Sequence, residues 1–119
     1  MCSYNAFNGV PTCANSWLLD TVARKSWGFD GYITSDCDAV ANVVSPHRYV
    51  KTAYAHGNSN PGHSGHISDP TLIRHVSVSP CGRREEAVAA TLRAGMDIDC
   101  SYFVGQHGMS ALKLGLIDE

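Results

Sequence analysis

The chain reads as an α/β fold made of about three successive strand-helix units, and three features of the sequence predict it. Short apolar runs of strand length alternate with longer amphipathic runs of helix length. The strand runs end in polar or acidic residues, as in Ser35-Asp36-Cys37 and Asp97-Ile98-Asp99. The helix runs are followed by glycine, at Gly28, Gly95 and Gly115, where a left-handed residue can close a helix. Repeated β/α units of this kind carry their chemistry at the carboxyl ends of the strands.

Taken in order, Met1 to Tyr4 is expected to be a short buried strand, and Asn8-Gly9 followed by Val10-Pro11 is turn chemistry leading into a loop. A helix follows. Asn15 or Ser16 can cap it, Trp17, Leu18, Leu19, Val22 and Ala23 form its apolar stripe, Arg24 and Lys25 suit its last turn, and Gly28 ends it. Gly31 to Ser35 is a strand, because Tyr32, Ile33 and Thr34 are aromatic or β-branched, and the apolar run from Ala39 to Val44 is the next helix. Glu85 to Arg93 is rich in good helix formers, and Met96-Asp97-Ile98-Asp99 is a short strand. The last helix is expected over Tyr102 to Leu114.

Composition narrows the partners. With 119 residues, 44% of them hydrophobic and 17% charged, the chain has the makings of one globular domain. A formal net charge of -2 offers no basic stripe for nucleic acid or an anionic membrane surface. No apolar run approaches the roughly 18 residues that a membrane-spanning helix needs, and the first residues lack the pattern of a signal peptide. Cys2, Cys13, Cys37, Cys81 and Cys100 form no CxxC pair and no zinc-type spacing, so thiolate metal binding is not expected; an oxidising compartment would leave one cysteine over.

Asp36 stands at the tip of an apolar strand with a helix after it, so the residues alone support two roles: a helix N-cap, or a catalytic carboxylate. Residues 53–84 differ from both flanks. They are rich in Gly, Pro, Ser and His and lack any helical or alternating apolar pattern. His56, His63, His66 and His75 invite a metal-binding reading, but their spacing is irregular and no carboxylate or cysteine joins them at ligand spacing.

The run Trp27-Gly28-Phe29-Asp30-Gly31-Tyr32-Ile33-Thr34-Ser35-Asp36-Cys37-Asp38-Ala39-Val40 closely resembles the nucleophile signature of glycoside hydrolase family 3. Met1-Cys2-Ser3-Tyr4-Asn5-Ala6-Phe7-Asn8-Gly9-Val10-Pro11-Thr12-Cys13-Ala14 resembles that family's preceding strand and loop, and Ala94-Gly95-Met96-Asp97-Ile98-Asp99-Cys100 its following strand. The resemblance covers about residues 1–52 and 85–119 and makes the chain the last part of a (β/α)8 TIM barrel, interrupted by an irregular insertion at 53–84. Tyr49-Val50-Lys51-Thr52 and Glu85-Glu86-Ala87 resemble the two halves of one continuous family motif, so the insertion is read as a retained intron or, failing that, a lineage-specific loop.

The resemblance also implies roles. Asp36 becomes the nucleophile of a retaining glycosidase, and Tyr4 the tyrosine beside it, against the plainer role of a core aromatic. The family's acid/base glutamate belongs to a later domain, so Glu85, Glu86 and Glu119 are not promoted to proton donor, and Asp38, Asp97 and Asp99 are read as caps or turn residues. Cys37 stands where many members carry tryptophan, and Ser-Asp-Cys-Asp-Ala-Val is similar to the β-xylosidase/α-L-arabinofuranosidase branch. A Cys37–Cys100 bridge between neighbouring strand tips would crowd the space around a sugar's C5 substituent and favour a pentose; two free buried cysteines are the alternative. The implied substrate is an oligosaccharide, with no cofactor and no metal, in an extracellular or cell-wall setting. The remainder of the enzyme must supply the acid/base, so a catalytically inactive barrel remnant is the competing expectation.

Overall fold

The computed structural model describes residues 1–50 and 80–118. At its centre three short extended segments lie side by side and parallel, Cys2 pairing with Ser35 and Thr34 with Ile98. Their order in space is their order in the chain. The Cys2 N–H donates to the Thr34 carbonyl and the Asp36 N–H to the Cys2 carbonyl, both at 2.8 Å; on the other side Ser35 N–H donates to the Ile98 carbonyl, also at 2.8 Å. Parallel neighbours require a crossover, and a helix occupies each return path.

Pairing is briefer than the sequence suggests, and Arg24 supplies one reason. Its guanidinium donates to the carbonyls of Gly31 (3.0 Å) and Gly95 (3.2 Å) and to the Asp97 carboxylate (2.6 Å), while Asp97 also accepts the Ile33 N–H at 2.7 Å. Side chains therefore take backbone groups at the amino end of the expected Gly31–Ser35 strand that a longer ladder would have used.

Asn8-Gly9 does more than lead into a loop. It closes an antiparallel hairpin of Ala6–Phe7 with Val10–Pro11, and both central residues have positive φ, 51° and 80°, as the tight hairpin turn demands. A 3₁₀ turn, Thr12–Ala14, leads to a helix at Trp17–Ser26, where the Asn15 side chain accepts the Leu18 N–H at 3.1 Å. This helix is wound in the wide π form and ends with the Trp27 N–H on the Val22 carbonyl, before Gly28 at φ 69°. The apolar stripe expected from 3.6-residue spacing is dispersed by that winding. Only Leu19 is fully buried; Trp17 stays half-exposed and stacks on Phe7 with ring centroids 6.0 Å apart.

The Ala39–Val44 helix buries Ala39, Val40 and Val43. Pro80–Arg93 forms a helix that starts before the expected join at Glu85, with Pro80 at the first position, where a missing N–H costs least. Five residues assigned by sequence to the insertion, 80–84, thus belong to this helix, and 53–79 lie outside the described residues. The Phe103–Lys113 helix follows the expected span and closes at Gly115, φ 67°. One core cluster gathers Cys2, Cys13, Leu19, Ile33, Val40 and Met96 beneath the strands; a second joins Ala14, Val43 and Ala87, and Phe103 packs against both. A Cys2–Cys13 disulfide, unassigned by the sequence reading, ties the first strand to the 3₁₀ turn.

Candidate active site

Asp36 sits directly after the central segment, at the carboxyl end of the three parallel tips. Its Oδ1 accepts the Cys37 N–H at 2.8 Å, and its backbone carbonyl accepts the Ala39 N–H at 3.0 Å. The N-cap position of the Ala39–Val44 helix belongs instead to Asp38, in the left-handed region at φ 65°, and no side chain makes a capping hydrogen bond there. The Asp36 carboxylate is therefore not consumed by the helix terminus.

Tyr4 comes from the neighbouring tip. Its ring is 47% exposed, and its phenol is pushed above the ordinary value of 10.0, first by desolvation, then by a hydrogen bond to Asp36 and by the negative charges of Asp36 and Asp38. At neutral pH the hydroxyl keeps its proton and is a donor facing the carboxylate. The structure thus brings Tyr4 and Asp36 together.

Cys37 and Cys100 are also neighbours, with Cα atoms 4.5 Å apart and their sulfurs joined. Beneath them lies Ser35, fully buried. Its hydroxyl donates to Asp99 Oδ1 at 3.1 Å and accepts the Cys100 N–H at 2.9 Å. Asp99 in turn accepts the Ser101 hydroxyl (2.9 Å) and the Val104 N–H (2.9 Å), so its carboxylate lies at the start of the Phe103–Lys113 helix, whose N-cap position is held by Tyr102. Asp97 does something else, forming an ion pair with Arg24 at 2.6 Å. Glu85 is 1% exposed, with Oε1 at 3.7 Å from His107 Nδ1 on the adjacent helix, and Glu86 has its carboxyl raised by desolvation and then by the charge of Glu85.

Sequence reasoning missed Ser35, Thr12 and His47. A polar residue at the end of an apolar strand, such as Ser35, needs hydrogen-bond partners once buried, and that signal was readable. The Thr12 hydroxyl lies 2.6 Å from both the Ser3 and Asn5 carbonyls, and His47 Nε2 lies 2.6 Å from the Tyr4 carbonyl. Only a folded loop reveals such pairings.

An apolar cavity of about 340 Å³ opens elsewhere, lined by residues including Met1, Leu18, Leu19, Trp27 and Ile33, and neither Asp36 nor Tyr4 borders it. Among the described residues no group of three or more potential ligands could hold a metal ion; His56, His63, His66 and His75 lie outside those residues. The chemistry available at the tips is a carboxylate opposed by a phenol donor, suited to attack on, or charge stabilisation of, an electron-poor carbon.

Residues 1–56 match the model of the glycosyl hydrolase family 3 N-terminal domain. Over its whole length the chain is 40% identical to β-D-xylosidase 3 of Arabidopsis thaliana and 37% identical to β-xylosidase/α-L-arabinofuranosidase 1 of Medicago sativa subsp. varia, in each case covering 11% of the relative. It therefore spans about a tenth of the length of the curated relatives it matches. Among solved structures, a GH3 exo-β-xylosidase, XlnD, in complex with a xylobiose aziridine activity-based probe superposes on 99% of this chain with a TM-score of 0.69 at 30% identity, the match covering 12% of that protein.

Proposed function

Since the chain belongs to glycosyl hydrolase family 3, carrying part of its N-terminal domain, we propose that it is the nucleophile-bearing segment of a retaining glycosidase that removes terminal β-D-xylosyl or α-L-arabinofuranosyl residues from xylan-type oligosaccharides. The observation that carries this reading is the Asp36 carboxylate, at the tip of the central strand, faced by the Tyr4 phenol and not engaged as a helix cap.

In the proposed reaction an Asp36 carboxylate oxygen bonds to the anomeric carbon as the bond to the leaving oxygen breaks. The leaving oxygen takes a proton from a general acid contributed by the rest of the enzyme. Water then attacks the same carbon, Asp36 departs as carboxylate, and the water's proton passes to the conjugate base of that acid. Tyr4 assists by donating to the carboxylate or to a sugar oxygen, which orients Asp36 and balances its charge between the two steps. The Cys37–Cys100 bridge narrows the space beside the C5 position, where a pentose carries no hydroxymethyl group.

The family's N-terminal domain has a TIM-barrel-like fold, and the three parallel segments, in chain order with helices between them, support placing this chain as the last β/α units of that barrel, with 53–84 as an insertion. The work site proposed is extracellular or in the cell wall, which the resemblance to plant and fungal β-xylosidases implies. Because the acid/base comes from elsewhere, the chain by itself is proposed to be inactive.

The test replaces Asp36 with Asn in a complete family 3 enzyme carrying this chain in its own place. Turnover should fall by several orders of magnitude, and a mechanism-based inhibitor should label Asp36 in the unsubstituted enzyme. Near-normal turnover of Asp36→Asn, or a label on another residue, refutes the assignment.

A further inference from the structure

Tyr4 lies in a segment, Cys2 to Asn5, in which every backbone carbonyl has a partner. The Cys2 carbonyl accepts the Asp36 N–H at 2.8 Å. Those of Ser3 and Asn5 share the Thr12 hydroxyl, whose single hydrogen cannot serve both fully, and Asn5 also accepts the Thr12 N–H at 3.0 Å. The Tyr4 carbonyl is met by His47 Nε2 at 2.6 Å.

These partners divide into two kinds. Thr12 is local, joined to the segment through the hairpin and the Cys2–Cys13 disulfide, so its bonds fix the shape of the loop but not where it sits relative to Asp36. The Cys2–Asp36 bond and the His47–Tyr4 bond reach across to the unit that carries Asp36. His47 is itself held, its backbone N–H donating to the Asn42 carbonyl at 3.0 Å just past the Ala39–Val44 helix that begins beside Asp36. A carbonyl only accepts, so Nε2 must carry the hydrogen, and both neutral and protonated imidazole can supply it.

Resting on the reading of Asp36 as nucleophile and Tyr4 as its neighbour, we propose that His47 is a positioning residue: it grips the Tyr4 backbone from the nucleophile's own unit and so sets the phenol against the Asp36 carboxylate. It touches neither substrate nor reacting atoms. Its effect belongs to the transition state, where the carboxylate must be aimed, more than to substrate capture.

The experiment compares His47→Leu, His47→Gln and His47→Asn in a complete family 3 enzyme carrying this chain, each with and without Tyr4→Phe, by steady-state kinetics and by the rate at which a mechanism-based inhibitor labels Asp36. Misplacing a reacting group by about 1 Å can cost 100-fold, so His47→Leu should lower kcat and the labelling rate by about 10- to 100-fold with little change in KM. Gln, whose amide can reach the carbonyl, should restore most of the loss, and the shorter Asn should not. In the Tyr4→Phe background the His47→Leu effect should largely vanish, because the two changes act through one contact. A labelling rate unchanged by His47→Leu, or an equal loss with and without Tyr4→Phe, overturns the positioning role while leaving Asp36 as nucleophile. No label on Asp36 in the unsubstituted enzyme refutes the nucleophile reading and this one with it. Should His47→Leu fail to fold, Gln and Asn carry the comparison, and equal rates for those two overturn the proposal.

Discussion

Replacing Ser35 with Ala should loosen the tip that holds Cys100 without touching Asp36 directly. Ser35 is fully buried, and its hydroxyl makes one bond to the Asp99 carboxylate and takes one from the Cys100 N–H. A hydrogen bond to a charged group contributes about 1.5–3 kcal/mol and a neutral one about 1 kcal/mol. Two features reduce the total. Asp99 keeps Ser101 and Val104, and Cys100 is exposed, so water can reach its freed N–H. A net loss of about 2 kcal/mol remains, which corresponds to roughly 30-fold faster local opening. Hydrogen exchange of the Cys100 amide, followed by mass spectrometry in a complete enzyme carrying this chain, reads that opening at the site itself. The Cys37–Cys100 bond limits the excursion, so the change should grow when both cysteines are serine. Cys100 protection within about threefold of the parent, or full additivity of Ser35→Ala with Asp99→Asn, would show that the network is not the coupling described.

Three further outcomes follow from the geometry. Arg24→Met should cost about 1–2 kcal/mol rather than more, because Arg24 and Asp97 are 27% and 45% exposed, and faster exchange at the Ile33 amide is the check; an unchanged amide would contradict the staple. The Tyr4 phenol, followed by NMR of ring-labelled tyrosine, should ionise above 10.0 and shift downward in Asp36→Asn. Its raised value means that the associated stability is fully present below the ordinary value and is lost as pH rises through the folded one; a Tyr4 titration indifferent to Asp36 would separate the two residues. Serine at both Cys37 and Cys100 in a complete enzyme carrying this chain should relax the proposed preference for pentosides over hexosides by about tenfold, and an unaltered ratio of kcat/KM values would dismiss the bridge as a selector.

The sequence revealed most where one residue decides the local physics. Gly28 and Gly115 close helices where expected, because the left-handed conformation they adopt is costly for other residues. The polar strand ends around Asp36 and Asp99 were visible for the same reason. Hidden from sequence were matters settled by distant partners. Asp36 and Asp38 both suit a helix start, and only the backbone decides that Asp38 occupies the cap position. Cys2 and Cys13 pair because the hairpin returns the chain to its own beginning, which residue spacing does not encode. The π winding of Trp17–Ser26 leaves no mark in a stripe that fits an ordinary helix equally well. The four histidines of residues 53–84 were conspicuous in composition; among the described residues, His47 touches the Tyr4 loop.

Arg24 has a consequence of another kind. Its guanidinium meets the Gly31 carbonyl, the Gly95 carbonyl and the Asp97 carboxylate, one group ahead of the central segment and two at the approach to the next. Parallel segments this brief have few bonds with which to tell the right alignment from one shifted by two residues, and such a shift would keep every side chain on its proper face. The fixed fork of a guanidinium cannot follow it, because all three acceptors must stay within reach of a single planar group. Arg24 thus works as a vernier at the far end of the sheet: the relative height of the Asp36 and Cys100 tips is read off and set at the opposite edge.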